Sequence, residues 1–311
     1  MCIYVTNKYR FLYYNSSMNR ININKHKTQE ILELMGTLRL KEICEFELEL
    51  NKNLFNKYGI KSFVDLAQIY FLKLIDISYE SDNVVIVFTK LNEEKSFHKE
   101  LDSNEKYGTK SEFFTINKIN EFSFLYYYQE ALKFIGIDSK TNILNIGVNK
   151  GDEFSVIKEL LEEEKFRKKT FCGIDYSSSA IEFSKTQFSK YDNVDFICAD
   201  INKLDSIGLG RFDLVISIGT LQSSNINFNS KFMEIYQNHL TKGGAIILGF
   251  PNCRWIDSEM VYGAKAPNYS FNEMSLVLKD IHFCKKYLQQ KGYRVIVTGK
   301  DYLFLSARKI I

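Results

Sequence analysis

The sequence predicts an α/β protein: a doubly wound, mostly parallel sheet of seven strands with an antiparallel hairpin at its C-terminal end, preceded by a small N-terminal α/β unit. Three observations predict it. After Ser139, short β-branched runs alternate with segments of helical periodicity, the pattern of a parallel sheet wrapped by helices. The last two strand runs are joined only by Thr298-Gly299-Lys300-Asp301, too short for a parallel crossover. The chain has 311 residues, long for one domain, and the part before residue 120 has strand and helix patterns of its own.

The elements follow in order. Residues 1–27 carry five Lys or Arg and no Asp or Glu, and lack the apolar core and cleavage site of a secretory signal. A flexible basic extension is expected there. Residues 28–120 form the small unit and its connection. Cys44 to Leu50 alternates apolar with acidic residues, as a half-buried strand does. Phe63 to Ile77 has a helical period, and Asn83 to Phe88 is a β-branched strand. The polar stretch from Asn92 to Asn120, with a turn signal at Tyr107-Gly108, is expected to be a linker or partly ordered connection. Residues 121–311 form the larger domain. It opens with a helix from Phe122 to Ile135 that ends at Gly136, a residue suited to a left-handed C-cap. Strands are expected at Asn142–Ile146, Thr170–Ile174, Val194–Cys198, Phe212–Ile218 and Ala245–Leu248. A helix from Glu273 to Gln290 then precedes the hairpin strands Arg294–Val297 and Tyr302–Leu305.

Composition excludes several classes. Hydrophobic residues make up 45% and charged residues 25%, with only 2 Pro and 16 Gly, which rules out a disordered or collagen-like chain. No uncharged apolar run of about 18 residues exists, so no membrane span is expected. The net charge of +3 is too near balance for wholesale nucleic-acid binding. The 6 Cys and 4 His are scattered, with no C-x-x-C spacing, so neither a sequence-local zinc site nor a disulfide framework is expected. No metal is expected, and reduced thiols suit the cytoplasm.

The chemistry-bearing residues sit at strand ends. The first strand of the larger domain runs into Asn145-Ile146-Gly147-Val148-Asn149-Lys150-Gly151, and a helix follows. Such a turn lets a ligand approach the backbone, and the helix start offers free N–H groups. The spacing breaks the dinucleotide fingerprint G-x-G-x-x-G, which speaks against a nicotinamide-dependent oxidoreductase. It fits a looser G-x-G-x-G loop with Asn149 in the middle place, since Asn tolerates left-handed backbone. Asp175 ends the second strand, 28 residues after Gly147, where a carboxylate can accept two ribose hydroxyls. It could instead cap the next helix, although Ser177, Ser178 and Ser179 can do that equally well. Asp200 and Ile201 end the third strand, where a carboxylate and a backbone N–H can meet an adenine edge. Asp200 could equally be a turn residue. The fourth strand opens into Ser217, Gly219, Thr220, Leu221 and Gln222.

Taken in order, these features resemble a class I S-adenosylmethionine-dependent methyltransferase. The matching elements are the Gly147–Gly151 loop, Asp175 in Gly-Ile-Asp-Tyr-Ser, Asp200 in Ala-Asp-Ile, Phe212-Asp-Leu-Val-Ile-Ser, the Gly219–Gln222 segment and the terminal hairpin. The resemblance covers Asn142 to Ile310 and implies a Rossmann-like methyltransferase fold with S-adenosylmethionine as cofactor. It implies methionine contacts near Asn145, Gly147, Asn149 and Gly151, ribose contacts at Asp175 with Tyr176 beside it, and adenine contacts at Asp200 and Ile201. Ser217 and Gly219 would complete the cofactor site. The family usually has an acidic residue where this chain has Asn145.

No general base stands out. Candidate acceptor contacts are Thr220 and Gln222 and, in the long segment after the fifth strand, Arg254, Trp255, Tyr262, Lys265 and Tyr269. That segment could be a lid over a compact acceptor, its aromatics packing on the domain or touching the substrate. Arg254 and Lys265 would suit a carboxylate or phosphate. A small-molecule acceptor is the expectation. Its alternatives are a tRNA or other RNA, suggested by 10 Lys or Arg against 5 Asp or Glu from Phe250 onward, and a non-catalytic cofactor-binding protein. No membrane partner is expected, and a homodimer is left open.

Overall fold

The computed structural model describes residues 19–95, 106–264 and 273–310. The chain divides into two compact units, Met1–Asn92 and Glu93–Ile311. The division falls at Asn92, where the connection expected over residues 92–120 begins; the sequence pattern grouped that connection with the first unit.

In the first unit the strands β1 (Asn19–Asn22), β2 (Glu45–Asn51), β3 (Leu72–Glu80) and β4 (Asn83–Lys90) form one sheet, ordered β1-β2-β4-β3. Helices α1 (Thr28–Leu40) and α2 (Lys52–Ile69) accompany it. The alternation in β2 sends Phe46, Leu48 and Leu50 into a core with Val84, Ile86 and Phe88 of β4 and with Met35 and Phe63 of the helices. Two expectations are corrected here. Residues 19–27 are not a free extension: β1 pairs in parallel with β2, Ile23 is fully buried, and Arg20 bonds Glu47 at 2.6 Å and Glu80 at 2.7 Å. Residues 1–18 lie outside the described residues. The helix expected over Phe63–Ile77 stops at Ile69, because the backbone turns through Phe71 at φ 54° and Leu72 begins a strand.

The second unit begins with the one-turn helix α3 (Glu112–Thr115) and α4 (Phe122–Ile135), which ends at Gly136 with φ 72° as its sequence implies. There follow β5 (Asn142–Ile146), α5 (Asp152–Leu160), α6 (Glu163–Arg167), β6 (Thr170–Asp175), α7 (Ser178–Gln187), β7 (Val194–Cys198), β8 (Phe212–Ile218), α8 (Phe228–Glu234) and β9 (Leu240–Pro251). A short hairpin, β10 (Cys253–Ile256) with β11 (Glu259–Tyr262), precedes α9 (Ser275–Gln290), β12 (Tyr293–Gly299) and β13 (Tyr302–Lys309). The large sheet is ordered β12-β13-β9-β8-β5-β6-β7, with β5 to β9 parallel and β13 antiparallel to both neighbours. This is the doubly wound seven-stranded architecture expected.

Period-2 alternation assigns each strand side chain to a layer. Ile143, Leu214, Ile216, Ile247 and Phe304 pack with α4, α5 and α7, whereas Leu144, Val215, Ile246 and Leu305 pack with α8 and α9. The chain winds outward through β6 and β7, then returns to place β8 on the other side of β5. That reversal opens a crevice beyond the carboxyl ends of β5 and β8, the place where open α/β sheets bind ligands.

Candidate functional site

The loop after β5 is held in a left-handed path. Gly147, Asn149 and Gly151 have φ of 78°, 43° and 81°. The N–H groups of Gly147 and Val148 both donate to the Ile174 carbonyl, at 2.8 and 3.0 Å, which fixes the loop to β6. A side chain at Gly147 has no room, since a Cβ there would lie 1.8 Å from Thr220 Oγ1. The segment after β8 therefore presses directly on the loop backbone. Asn149 does take the place of a middle glycine.

Asp175 sits at the tip of β6 and is 8% exposed. Its carboxylate accepts the Asn149 N–H at 2.8 Å and the Ser177 N–H at 3.0 Å. Burial pushes its pKa up, against the pull of these backbone bonds. Ser177, not Asp175, caps α7 by accepting the Ala180 N–H. Asp200 accepts the Asn202 N–H at 2.9 Å and caps the 3-10 turn Ile201–Ile207, so the turn role is realised; its neighbour Ile201 is buried. Ser217 Oγ donates to the Ile146 carbonyl at 3.1 Å, and the Gly219 N–H donates to the Gly249 carbonyl at 2.9 Å. Tyr176 is half exposed. Asn145 is fully buried; its Nδ2 donates to Glu153 Oε2 at 3.0 Å, while its Oδ1 has no partner. Gln222 Oε1 is likewise buried without a partner.

Residues 137–296, about half of the chain, match the model of the methyltransferase domain family. The chain belongs to that family. The cofactor of this fold and family is S-adenosylmethionine. Solved structures that resemble this methyltransferase include a SAM-dependent methyltransferase from Aquifex aeolicus, at 15% identity and TM-score 0.45, covering 68% of this chain and 100% of that one. The plantazolicin methyltransferase BpumL in complex with SAH is similar at 14% identity and TM-score 0.45, covering 67% and 94%. A precorrin-6y C5,15-methyltransferase from Geobacter metallireducens follows at 13% identity and TM-score 0.40, covering 58% and 88%. No curated protein sequence matches the chain. No helix among the described residues is long and apolar enough to cross a membrane.

Sequence reasoning missed a strap across the site of this methyltransferase. Residues 106–120, expected to be a linker or partly ordered connection, are bonded along the glycine loop and its neighbours. Asn149 Nδ2 donates to the Tyr107 carbonyl at 2.8 Å, and the Thr109 N–H donates to Ser179 Oγ at 3.0 Å. Lys150 Nζ donates to the carbonyls of Phe114 and Ile116 at 3.3 and 2.7 Å. Phe114 meets Phe183 of α7 edge-on at 5.0 Å. Lys118 ends the strap in an ion pair with Glu153 at 2.6 Å, both side chains being largely buried. Burial alone would lower the Lys118 pKa, but Glu153, Asp152 and Asp175 around it raise it on balance. Burial pushes the Asp152 carboxyl up, with Lys118 opposing. The available signal was chemical: one lysine between apolar residues, Ile116 and Ile119, facing an acidic helix start at Asp152-Glu153.

The described part of the segment after β9 forms a β-hairpin. Asp257 and Ser258 have φ of 50° and 61° and make the two-residue turn between β10 and β11. Trp255 is a packing residue: it is 7% exposed, clusters with Ile116 of the strap, and donates from Nε1 to Tyr302 Oη at 3.2 Å. Arg254 is half-buried opposite Val261, and Tyr262 is exposed, with its hydroxyl toward Met274 Sδ at 3.8 Å. Lys265 and Tyr269 lie outside the described residues. Burial pushes the Cys253 thiol up to about 12, which removes it as a nucleophile near neutral pH. The fold thus gathers Asn145, Gly147, Asn149, Gly151, Asp175, Ser217, Gly219 and Thr220 around the ends of β5, β6 and β8. It leaves Trp255 in a packing cluster and Tyr262 on the hairpin surface.

Proposed function

We propose that this methyltransferase uses its β5–β8 crevice to hold S-adenosylmethionine and transfers the methyl group to a small-molecule acceptor. The observation that carries the reading is the left-handed Gly147–Gly151 loop at the switch point of the sheet, with Asp175 and Asp200 at the next two strand ends. The residues fit the cofactor chemically. Asn145 Oδ1 is a buried acceptor with no donor, and a ligand ammonium would supply one. The two Asp175 oxygens accept the backbone N–H groups of Asn149, Ser177 and Tyr176 and keep acceptor capacity for a ribose hydroxyl. Asp200 and the Ile201 backbone serve the adenine edge, with Tyr176 at the mouth and Ser217 and Gly219 as the floor. The acids Asp152, Glu153 and Asp175 outnumber Lys118 and favour a cationic ligand.

When bound, the cofactor supplies an electrophilic methyl group on a sulfonium centre. The protein's task is then to align the acceptor and exclude water. Thr220 and Gln222 follow β8 and border the acceptor side, and Gln222 Oε1 can accept from an N–H or O–H donor. Arg254, Tyr262, Lys265 and Tyr269 remain secondary acceptor contacts. A small acceptor is supported by the strap over residues 149–153 and by the near-balanced net charge of +3, since RNA binding would need a strongly basic groove.

Calorimetric titration with S-adenosylmethionine and its demethylated product tests the cofactor; no binding of either at millimolar concentration refutes it. Labelled cofactor with cell extract, fractionated into RNA, protein and small molecules, tests the acceptor. Label in RNA would replace the small-molecule reading, and binding without any transfer would make the chain a cofactor-binding protein.

A further inference from the structure

A second cluster of ligating groups lies outside the crevice. Asp205, Glu234 and His239 bring one ligand atom each within 4.8 Å of one another, the one such group among the described residues. They come from separate elements: Asp205 from the 3-10 turn after Asp200, Glu234 from the last position of α8, and His239 from the end of the π-helical turn Ile235–His239. The π winding matters. In an α-helix, residues five apart point roughly 140° away from each other. A π turn closes every fifth residue and brings Glu234 and His239 to one face.

The ring contacts of His239 are the telling feature. His239 is 4% exposed, with Nδ1 3.2 Å from the Gly210 carbonyl and Nε2 3.1 Å from Asp205 Oδ1. A carbonyl only accepts, so Nδ1 carries the proton in that contact. That turns Nε2, the other ring nitrogen, toward the Asp205 carboxylate, so that a nitrogen and an oxygen ligand converge on one point. A carbonyl on the far ring nitrogen is also the usual support of a metal-bound histidine. Asn238 Nδ2 lies 3.0 and 3.1 Å from the two Asp205 oxygens and holds that carboxylate. Glu234 uses Oε2 for Lys231 at 2.6 Å, which leaves Oε1 for a cation.

We propose that Asp205, Glu234 and His239 form a binding site for a first-row divalent metal ion, with zinc as its natural probe. One imidazole and two carboxylates suit zinc, whose ligand atoms lie about 2.0–2.2 Å from the ion and so about 3.3–3.6 Å from each other in a tetrahedron. The His239–Asp205 separation of 3.1 Å is close to that span. The Asp205 side chain is 56% exposed, so water can complete the coordination. The site is structural: it ties the Ile201–Ile207 turn, which starts at Asp200, to the end of α8. It does not depend on the identity of the methyl donor or acceptor.

The test is equilibrium dialysis of the full chain, first stripped with chelator, against micromolar zinc, together with thermal melts. One zinc per chain, a raised melting temperature, and affinity at least tenfold weaker in both Asp205→Asn and Glu234→Gln are expected. Asp205→Asn changes a largely exposed side chain, so it keeps the test informative should a His239 variant fail to fold. In 15N NMR, His239 Nε2 should shift on zinc addition as a metal-bound nitrogen. No zinc uptake overturns the proposal, as does uptake unchanged in both variants, which would place the ion elsewhere. A His239 Nε2 resonance that excess zinc leaves unmoved overturns it too, since the ion would then not reach the ring.

Discussion

Gly147→Ala isolates the contact on which the cofactor loop depends. Two costs combine. Holding an L-residue in the left-handed region at φ 78° costs about 1–2 kcal/mol. The new Cβ would lie 1.8 Å from Thr220 Oγ1 and 2.7 Å from Thr220 Cβ, and relieving such overpacking costs about 1–3 kcal/mol. The expected destabilisation is about 2–5 kcal/mol, measured by urea unfolding of both proteins. Because Thr220 Cβ lies 2.7 Å from the new Cβ, Thr220→Ala relieves the clash only in part, whereas Thr220→Gly removes the steric part and leaves the backbone part. In the Thr220→Gly background, Gly147→Ala should therefore cost only about 1–2 kcal/mol. Cofactor titration should show at least tenfold weaker binding by Gly147→Ala, since the displaced segment borders the crevice. An equal cost in both backgrounds, or a cost under about 0.5 kcal/mol in the first, would refute the argument.

Three further outcomes are expected. Lys118→Met strands the Glu153 carboxylate and should cost about 3–5 kcal/mol in urea unfolding, with Lys118→Met/Glu153→Gln recovering much of it; a double variant no better than the single would remove the pair from the account. Burial raises the Asp152 pKa in the fold, so the folded state holds that proton more tightly and the ionised group costs stability once pH exceeds its folded value. Asp152→Asn should therefore be the more stable protein at pH 7, with the gap closing as pH falls toward the unfolded value of about 3.9; a gap that widens on acidification contradicts this. Asn149→Gly should keep the turn but lose the bond to Tyr107, worth about 1 kcal/mol, so amide exchange across residues 107–116 should rise about fivefold.

The parts legible in the sequence share one property: a single period decides them. Asn142–Ile146 and Phe212–Ile218 are buried on both faces, Val194–Cys198 is a partly exposed edge strand, and all three are flanked by turns, so their bounds could be read directly. Gly136 marked the end of α4 because only a left-handed residue closes the helix there. The failures came where a tertiary contact chose between local options. Phe63–Ile77 has helical spacing throughout, yet Leu72 and Leu74 pack in the first core from a strand paired to β4. β1 has only four residues and is specified by Arg20 reaching Glu47 and Glu80, acids far along the chain. For Trp255 the sequence left packing on the domain and substrate contact both open; its burial depends on Ile116 and Tyr302, which no local pattern links to it.

The departure of Asn149 from the glycine pattern has the same kind of cause. A glycine there would reach φ 43° with less strain, and its N–H and carbonyl could still meet Asp175 and Ser184. It could not offer a side-chain donor to Tyr107. Lys150, next in sequence, holds Phe114 and Ile116, and Glu153 holds Lys118. Three side chains within five residues of the loop thus grip the strap in the same order along both segments. Chain 106–120 is polar and lacks a strong period because its partners lie on the glycine loop and the first turn of α5, not within itself. In this chain the loop carries two jobs, shaping a ligand crevice with its backbone and anchoring that strap with its side chains, and the second job requires the residue that the first would replace with glycine.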